Sequence, residues 1–348
     1  MKMTFRWYGE TDTIPLQYIK QIQGMDGVVT AVYDVPVGRV WSEDKIVRLK
    51  NLCNKEGLSF EVIESVPVHE DIKLGRDNRD ALIDNYAQTL ENLGKHGVKC
   101  VCYNFMPVFD WLRTDLHKKA ADGSTSLSYD HSLLMSMDVN DLHLPGWDES
   151  YSKEELQGLL DAYKTVTHEK LFDNLVYFLK KIMPVCVKYG VNMAIHPDDP
   201  PWDMFGLPRI ITGEESYEKL FAAVPEIQNG ITFCTGSLGA SRKNDLVVMA
   251  AKYAKRIHFA HLRQIKYDGE LDFTECGHMT QNGDIDMYGV VKALVYNGFY
   301  GYVRSDHGRN IWGEDGKPGY GLYDRALGAA YLCGLFEAVT KQYEEEKK

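Results

Sequence analysis

The sequence has few of the features that mark secreted or membrane-spanning proteins. Its seven cysteines are an odd number, they are scattered along the chain, and no two are spaced as CxxC. Together with the lack of an apolar signal segment at the start, this predicts reduced thiols in a cytoplasmic protein. No apolar run approaches the ~20 residues that a membrane-spanning helix needs. The sequence also has no repeat of fixed period and no low-complexity tract.

Basic residues are scarce as well. Lys and Arg number 39 against 50 Asp and Glu, for a formal net charge of −11. A nucleic-acid-binding surface needs clustered cations. This balance therefore argues against one class of enzyme, the endonucleases that have a barrel fold and act on damaged DNA. It does not exclude a small anionic substrate, because a metal ion and a few local cations can override the overall field. We therefore predict no nucleic-acid or membrane partner.

The chain alternates between short β-branched or aromatic runs and helical patterns. Strands are predicted at residues 4–7, 28–32, 58–64, 98–104, 191–196, 231–234, 257–262 and 302–305. Helices are predicted at residues 16–22, 43–55, 79–93, 168–188, 217–223, 245–254, 286–296 and 323–343. Ser42 is the expected N-cap of the second helix. Eight alternations favour an α/β fold, a closed (β/α)8 TIM barrel, over an open sheet.

Two segments interrupt this alternation. Residues 107–167 are too many for a simple loop after the fourth strand, and we predict a helical insertion near the barrel mouth. Residues 197–213 are rich in proline and include Trp202, which predicts a lid. A length of 348 residues is normal for a barrel with insertions, so residues 1–348 are predicted to form one catalytic domain.

The carboxyl ends of the last four strands carry side chains suited to chemistry. In such barrels the catalytic residues lie at these ends. The fifth to eighth strands end at His196, Cys234, His261 and Asp306 in turn. Imidazole, thiol and carboxylate groups at one height are typical of a divalent metal site.

Each of these residues also has a simpler interpretation. A single cysteine at a strand end is usually a small core residue. His261 competes with His258, three residues earlier and on the other face of the strand. Asp198 and Asp199, after the fifth strand, are more simply loop acids or caps. The coincidence of four suitable strand ends favours the metal site.

The last strand leads directly into Asp306, His307 and Gly308. Side chains alternate along a strand, so Asp306 and His307 can face one site only if the strand stops there. Gly308 would permit such a turn. An anionic ligand beside a titratable imidazole suits a metal ion paired with an acid or base, although a polar loop after a core strand would read the same way in isolation.

Seven motifs follow one another over nearly the whole chain: residues 5–9 (FRWYG), 27–31 (GVVTA), 62–73 (VIESVPVHEDIK), 102–108 (CYNFMPV), 196–201 (HPDDPP), 233–239 (FCTGSLG) and 306–308 (DHG). In these motifs and their order the chain resembles the mannonate dehydratases, sugar-acid dehydratases with a xylose-isomerase-like barrel. One position departs from the family pattern, because Ser305 stands where proline is expected.

The resemblance implies a hydro-lyase of hexuronate (glucuronate) catabolism, in which D-mannonate loses water to give 2-keto-3-deoxy-D-gluconate. It implies that His196, Cys234, His261 and Asp306 hold a divalent ion, usually Mn²⁺. Ligand softness would suit Zn²⁺ or Fe²⁺ better, so both are kept as possible metals.

The resemblance also implies that His307 and a tyrosine carry out the proton transfers. Tyr320, flanked by glycines, is preferred over Tyr323, which looks like the first turn of the last helix. Which member of the pair is acid and which is base is left open.

Six further residues are candidates for binding the substrate: Arg6, Trp7, Glu64, His69, Asn104 and Arg309. Arginines can bind a carboxylate with two hydrogen bonds, and the polar residues of the third and fourth strands could reach substrate hydroxyls. Each could equally have a structural role. The partner is a small sugar acid, and we expect a homodimer or higher homo-oligomer. The main alternative is a metal-dependent sugar isomerase or epimerase of the same barrel, and a catalytically silent sugar-acid-binding protein is a third.

Overall fold

The computed structural model of the protein describes residues 1–137 and 151–348. Its strands, numbered β1 to β12 in chain order, are Lys2–Arg6, Met25–Thr30, Ser59–Glu64, Cys100–Tyr103, Asp115–Lys119, Thr125–Tyr129, Asn192–Ile195, Asn229–Cys234, Ile257–His261, Gln264–Tyr267, Phe273–Cys276 and Tyr302–Arg304. Its α-helices, α1 to α12, are Leu16–Lys20, Glu43–Lys55, Glu70–Leu74, Arg79–Lys95, His131–Ser136, Lys153–Tyr163, His168–Tyr189, Glu214–Ala223, Thr235–Ala240, Leu246–Tyr253, Met287–Tyr296 and Tyr323–Glu346.

Eight parallel strands close into a barrel in the order β1-β12-β9-β8-β7-β4-β3-β2. Each predicted strand overlaps one of these eight, so the predicted (β/α)8 TIM barrel is confirmed. The strands are recognisable from sequence because a parallel strand covered by helices is buried on both faces and is therefore almost continuously apolar. β8, for example, is buried along its whole length.

The barrel interior is packed with side chains. Beneath the carboxyl ends of the strands lies a separate cluster of Val29, Val62, Cys100, Cys102, Ala194 and Phe259. The ring of Phe259 meets that of His261 edge-to-face, with centroids 4.4 Å apart. This packing supports the side chains above it, so the polar residues at the strand ends lie on an apolar layer.

A second, antiparallel sheet was not predicted. It has the order β10-β11-β6-β5, in which β5 and β6 come from the insertion and β10 and β11 from a hairpin after the seventh barrel strand. The insertion also contains α5 and α6, so the prediction of helices was incomplete; residues 138–150 lie outside the described residues. The hairpin was missed because it is short and its pairing partner, β6, lies far away in sequence.

The proline-rich segment after β7 packs against this sheet. The indole Nε1 of Trp202 donates to the Tyr129 hydroxyl over 3.2 Å, and the ring of Phe205 lies 5.9 Å from that of Phe109. Ser42 occupies the N-cap position of α2 as predicted, although its side chain makes no capping hydrogen bond. Within the described part of the chain, no helix combines the length and apolarity needed to cross a membrane.

We expect Gly230→Ala to lower the free energy of unfolding by about 1–3 kcal/mol, because a Cβ there overpacks the barrel wall. The added carbon would lie 2.3 Å from the backbone oxygen of Arg256 and 2.2 Å from the His258 ring. Denaturant unfolding of both proteins measures the difference. Gly158→Ala in α6 is the matched control: nothing lies within 4 Å of its Cβ, so helix propensity should leave it neutral or stabilise it by about 0.5–1 kcal/mol. An equal loss in both variants would contradict the overpacking.

Candidate active site

The pairing register of the barrel strands places the predicted ligands at the same level along the barrel axis. Cys234 pairs with His261 across β8 and β9, and His261 pairs with Arg304 across β9 and β12. His196 follows directly after β7. These residues therefore meet at the carboxyl end of the barrel, as the fold requires for a functional site.

Three of the four predicted ligands form a close cluster. One ligand atom from each of His196, Cys234 and His261 lies within 4.8 Å of the others, with Cys234 and His261 buried. The alternative histidine, His258, points away: its Nε2 lies 2.8 Å from the backbone oxygen of Ile227.

Asp306 lies beside this cluster. Its Oδ2 is 3.7 Å from the Cys234 sulfur and 3.8 Å from His261 Nδ1. Its Oδ1 is 2.7 Å from Nη2 of Arg304. Burial alone would raise the pKa of Asp306, but Arg304, His307, His261 and Arg263 together hold it well below its usual value. The carboxylate is therefore ionised and can serve as an anionic ligand.

The turn after the last strand occurs at Asp306 and not at Gly308. Asp306 has φ of 62°, a left-handed conformation that aspartate tolerates better than most residues. Gly308 serves a different purpose: a Cβ there would come within 3.1 Å of the backbone nitrogen of Arg325. Its N–H donates to the Gly319 oxygen over 2.9 Å, which ties this turn to the loop that carries Tyr320.

One observation besides residue type supports a divalent metal ion at this cluster. Nε2 of His261 is buried and makes no hydrogen bond among the described residues, although Glu64 Oε2 lies 3.5 Å away; a buried nitrogen without a hydrogen bond is costly unless something else satisfies it. His261 also belongs to a second group with Glu64 and Cys102 within the same 4.8 Å limit. Two imidazoles and a thiol form a soft donor set that accepts zinc or iron readily.

His307 and Tyr320 are in direct contact next to the cluster. Nε2 of His307 lies 2.9 Å from the Tyr320 hydroxyl. Arg325 Nη2 donates to the Tyr320 carbonyl over 2.6 Å and holds the loop. Tyr323, the other candidate, is 43% exposed, and its ring lies 5.6 Å from that of Trp312 in a tilted arrangement. The structure therefore brings Tyr320, and not Tyr323, to His307.

Arg6, Glu64 and Arg304 line the same end of the barrel. Nη2 of Arg304 donates to Glu64 Oε1 over 3.0 Å, and Arg6 Nη1 lies 3.4 Å from Glu64 Oε2. Burial would raise the pKa of Glu64, but Arg304, His261 and Arg6 lower it below its usual range. Nε and Nη1 of both arginines are buried and have no hydrogen-bond partner in the described part of the chain.

Four of the residues proposed to bind substrate have other roles in the structure. Trp7 is part of the hydrophobic core. His69 Nδ1 accepts the N–H of Asp71 as the N-cap of α3. Asn104 Oδ1 accepts the N–H of Met106.

Arg309 is the fourth. Its Nη2 donates to Asp324 over 2.9 Å and its Nη1 to Asp122 over 3.0 Å. Its hydrogen-bonding groups are therefore directed to these two acids.

A buried network of charges was missed by sequence reasoning. Arg113 binds both oxygens of Asp199, at 3.0 and 3.1 Å, and Arg263 Nη2 donates to the same carboxylate over 2.6 Å. Arg113 Nη2 also donates to Glu275 over 2.7 Å. Asp199 is thus part of a network next to His307 and not the loop acid or cap that was predicted. Its position in the HPDDPP motif was the one available signal; Glu275, on the unpredicted hairpin, had none.

Comparison with known proteins identifies the family. The family model described as D-mannonate dehydratase (UxuA) matches residues 1–346. A mannonate dehydratase of Thermotoga petrophila is 53% identical over an alignment of 355 positions that covers 98% of each chain. This chain belongs to the D-mannonate dehydratase family.

Solved structures agree with this assignment. The crystal structure of the mannonate dehydratase from Streptococcus suis serotype 2 is 49% identical, with a TM-score of 0.91 over 98% of this chain and 94% of the other. A xylose isomerase domain protein from Alicyclobacillus acidocaldarius has a TM-score of 0.59 at 10% identity, over 97% of this chain and 99% of the other, which shows the shared barrel alone. The resemblance to mannonate dehydratases found in the sequence is confirmed.

Proposed function

We propose that this chain dehydrates D-mannonate to 2-keto-3-deoxy-D-gluconate, with the help of one divalent metal ion. One observation supports this most directly: the His196, Cys234 and His261 cluster lies next to a hydrogen-bonded His307–Tyr320 pair at one end of the barrel. A site for a cation and a site for proton transfer are thus adjacent. Membership of the family indicates the substrate.

His196, Cys234, His261 and Asp306 would hold the ion. When bound, a divalent ion supplies Lewis-acid stabilisation of the negative charge that develops as the weakly acidic C2 proton is removed. Manganese follows from the family resemblance, while the soft donor set suits zinc or iron.

All seven cysteines are free thiols, which supports a proposed cytoplasmic location.

Arg6 and Arg304 are our candidates to bind the substrate carboxylate or its hydroxyls. Each has two buried guanidinium nitrogens without a hydrogen bond among the described residues, and of these only Arg6 Nη1 has an ion-pair contact, with Glu64 Oε2 at 3.4 Å. Leaving such groups without hydrogen bonds is costly, and an anionic, hydroxyl-rich sugar acid would satisfy them. Glu64 forms an ion pair with each of the two arginines, at 3.4 Å from Arg6 Nη1 and 3.0 Å from Arg304 Nη2.

Loss of water from a sugar acid needs a base at C2 and an acid at the C3 oxygen. His307 and Tyr320 provide these two groups. Burial raises the pKa of Tyr320, and although Arg304 opposes that rise, the phenol stays protonated at neutral pH. Trp111 lies 5.5 Å from the His307 ring, and Tyr8 lies 5.1 Å from the Tyr320 ring. These aromatic neighbours cover part of the pair, of which His307 is buried and Tyr320 is partly exposed.

The test is to incubate metal-loaded protein with D-mannonate and, separately, with D-mannose, and to assay for a 2-keto-3-deoxy acid and for an isomerised sugar. We expect the 2-keto-3-deoxy acid from D-mannonate only, because the carboxylate both binds the cations and stabilises the developing charge. Protein stripped with a chelator should be inactive and should recover when metal is restored. Isomerisation of the free aldose without dehydration of mannonate would instead identify a sugar isomerase.

A further inference from the structure

The carboxylate of Glu275 reaches the ring of His307 from outside the barrel. Glu275 lies on β11, in the second sheet, and is buried. Its Oε2 and Oε1 are 2.9 and 3.0 Å from His307 Nδ1. The other ring nitrogen, Nε2, is the one that contacts the Tyr320 hydroxyl. Glu275 and Tyr320 therefore lie on opposite sides of the same imidazole.

His307 Nδ1 has a second neighbour that competes with Glu275. Nη1 of Arg263 lies 2.6 Å from it. A guanidinium can only donate and an ionised carboxylate can only accept. Arg263 therefore favours a bare Nδ1 with the proton on Nε2, whereas Glu275 favours the proton on Nδ1. The two arrangements present opposite hydrogen-bonding groups to Tyr320.

The surrounding contacts decide in favour of Glu275. Its Oε1 already accepts from Arg113 Nε and Nη2, over 3.0 and 2.7 Å. Within the described residues, Oε2 has His307 Nδ1 as its only hydrogen-bond partner. Arg263 Nη1 instead has two other acceptors nearby, Glu275 Oε1 at 3.3 Å and Asp306 Oδ2 at 3.5 Å.

Glu275 is ionised in this environment. Burial alone would raise the pKa of its carboxyl group, but His307, Arg263 and Arg113 lower it to about 2. With the proton on Nδ1, both oxygens of Glu275 have a hydrogen-bond donor, and Arg263 Nη1 keeps its ion-pair contacts with Glu275 Oε1 and Asp306 Oδ2. With the proton on Nε2, a buried carboxylate oxygen would face a ring lone pair, an arrangement that leaves it unsatisfied.

We propose that Glu275 is a positioning residue that holds His307 in the tautomer protonated at Nδ1, so that the Nε2 lone pair faces the site and the Tyr320 hydroxyl. This inference rests on the proposed dehydration and assigns its two roles. His307 Nε2 takes the C2 proton, and the electrons of that C–H bond form the C2=C3 double bond. The C3–O bond breaks, and Tyr320 gives its proton to the leaving hydroxyl to form water. The resulting enol then becomes the 2-keto acid.

The hydrogen bond between His307 and Tyr320 lets both groups return to their starting protonation states. After one turnover, His307 carries the extra proton on Nε2 and Tyr320 is a phenolate. Transfer of that proton across the 2.9 Å contact restores both groups. No outside acid or base is required.

Glu275→Gln tests the assignment by activity. The amide oxygen can still accept from Arg113, which turns the amide N–H₂ group towards Nδ1 and favours the opposite tautomer. We expect kcat to fall about 10²–10⁴-fold, as happens when the carboxylate that orients a catalytic histidine becomes an amide. KM should change much less, and metal content should be unchanged.

Arg113→Lys is the matched control. It weakens the same buried network while leaving Glu275 Oε2 against His307, so it should lower the melting temperature but leave kcat within a few-fold. If both variants lose stability and neither loses kcat once folded, Glu275 has only a structural role. An equal loss of kcat in both would also overturn its specific role.

A tautomer measurement tests the inference without relying on turnover. Protein labelled with ¹⁵N-histidine and loaded with diamagnetic Zn²⁺ gives long-range ¹H–¹⁵N spectra in which the two tautomers differ. His307 is assigned, among 11 histidines, by its absence in His307→Asn. We expect the proton on Nδ1 in the wild type and on Nε2 in Glu275→Gln. A wild-type proton on Nε2 would overturn the inference even if mannonate is dehydrated. Failure to dehydrate mannonate with Nδ1 protonated would overturn the function and the role assignment but not the positioning by Glu275.

Discussion

His307→Asn and Tyr320→Phe should each lower the turnover of D-mannonate by about 10²–10⁴-fold, the usual effect of removing a positioned acid or base. Both substitutions remove a proton-transfer group and largely preserve shape. The two groups touch each other at 2.9 Å, so the double variant should be only slightly slower than the worse single variant. Steady-state kinetics on metal-loaded proteins measures the effect.

Metal content and melting temperature separate this effect from damage to the site. We expect both single variants to bind metal as the wild type does. Tyr323→Phe is the matched control, because Tyr323 is 43% exposed and does not contact His307. It should retain near-normal turnover. Near-normal turnover in Tyr320→Phe, together with a loss in Tyr323→Phe, would reverse the choice of tyrosine.

Cys234→Ser should remove metal and activity together while leaving the barrel folded. The sulfur is one of three ligand atoms in the cluster and is itself buried, and a serine hydroxyl is a much weaker ligand for a soft metal. The loss of affinity should exceed the ~10–100-fold that follows from removing an outer partner of a ligand. Metal analysis after dialysis measures it, and loading with Co²⁺ adds a spectroscopic signature of sulfur ligation that the variant should lack.

Cys53→Ser provides the control for placing a hydroxyl in an apolar site. Cys53 is fully buried in α2, where burial raises the pKa of its thiol to about 12. This variant should lose stability, because a buried hydroxyl without a partner is costly, but it should keep the metal. His261→Ala should behave like Cys234→Ser. Full metal retention in both would rule out the proposed site.

Local sequence patterns were sufficient to predict the barrel. Its eight strands are short and apolar, and helices separate most of them, so each element is determined largely by nearby residues. The ends of β7, β8 and β9 placed His196, Cys234 and His261 together for the same reason, since all parallel strands end on one face. The seven motifs indicated the family, and the preference for Tyr320 over Tyr323 came from its flanking glycines.

Tertiary structure alone decided which groups surround these residues. Glu275 and Arg113 meet at His307 from segments 162 residues apart, through a sheet whose strands pair across the insertion and a late hairpin. No local pattern records such pairing. Likewise, the sequence does not show that Arg309 Nη2 donates to Asp324. The set of proposed ligands depends on strand ends, which sequence periodicity reveals, whereas the tautomer and charge of the proposed catalytic groups depend on long-range contacts that only the folded chain brings together.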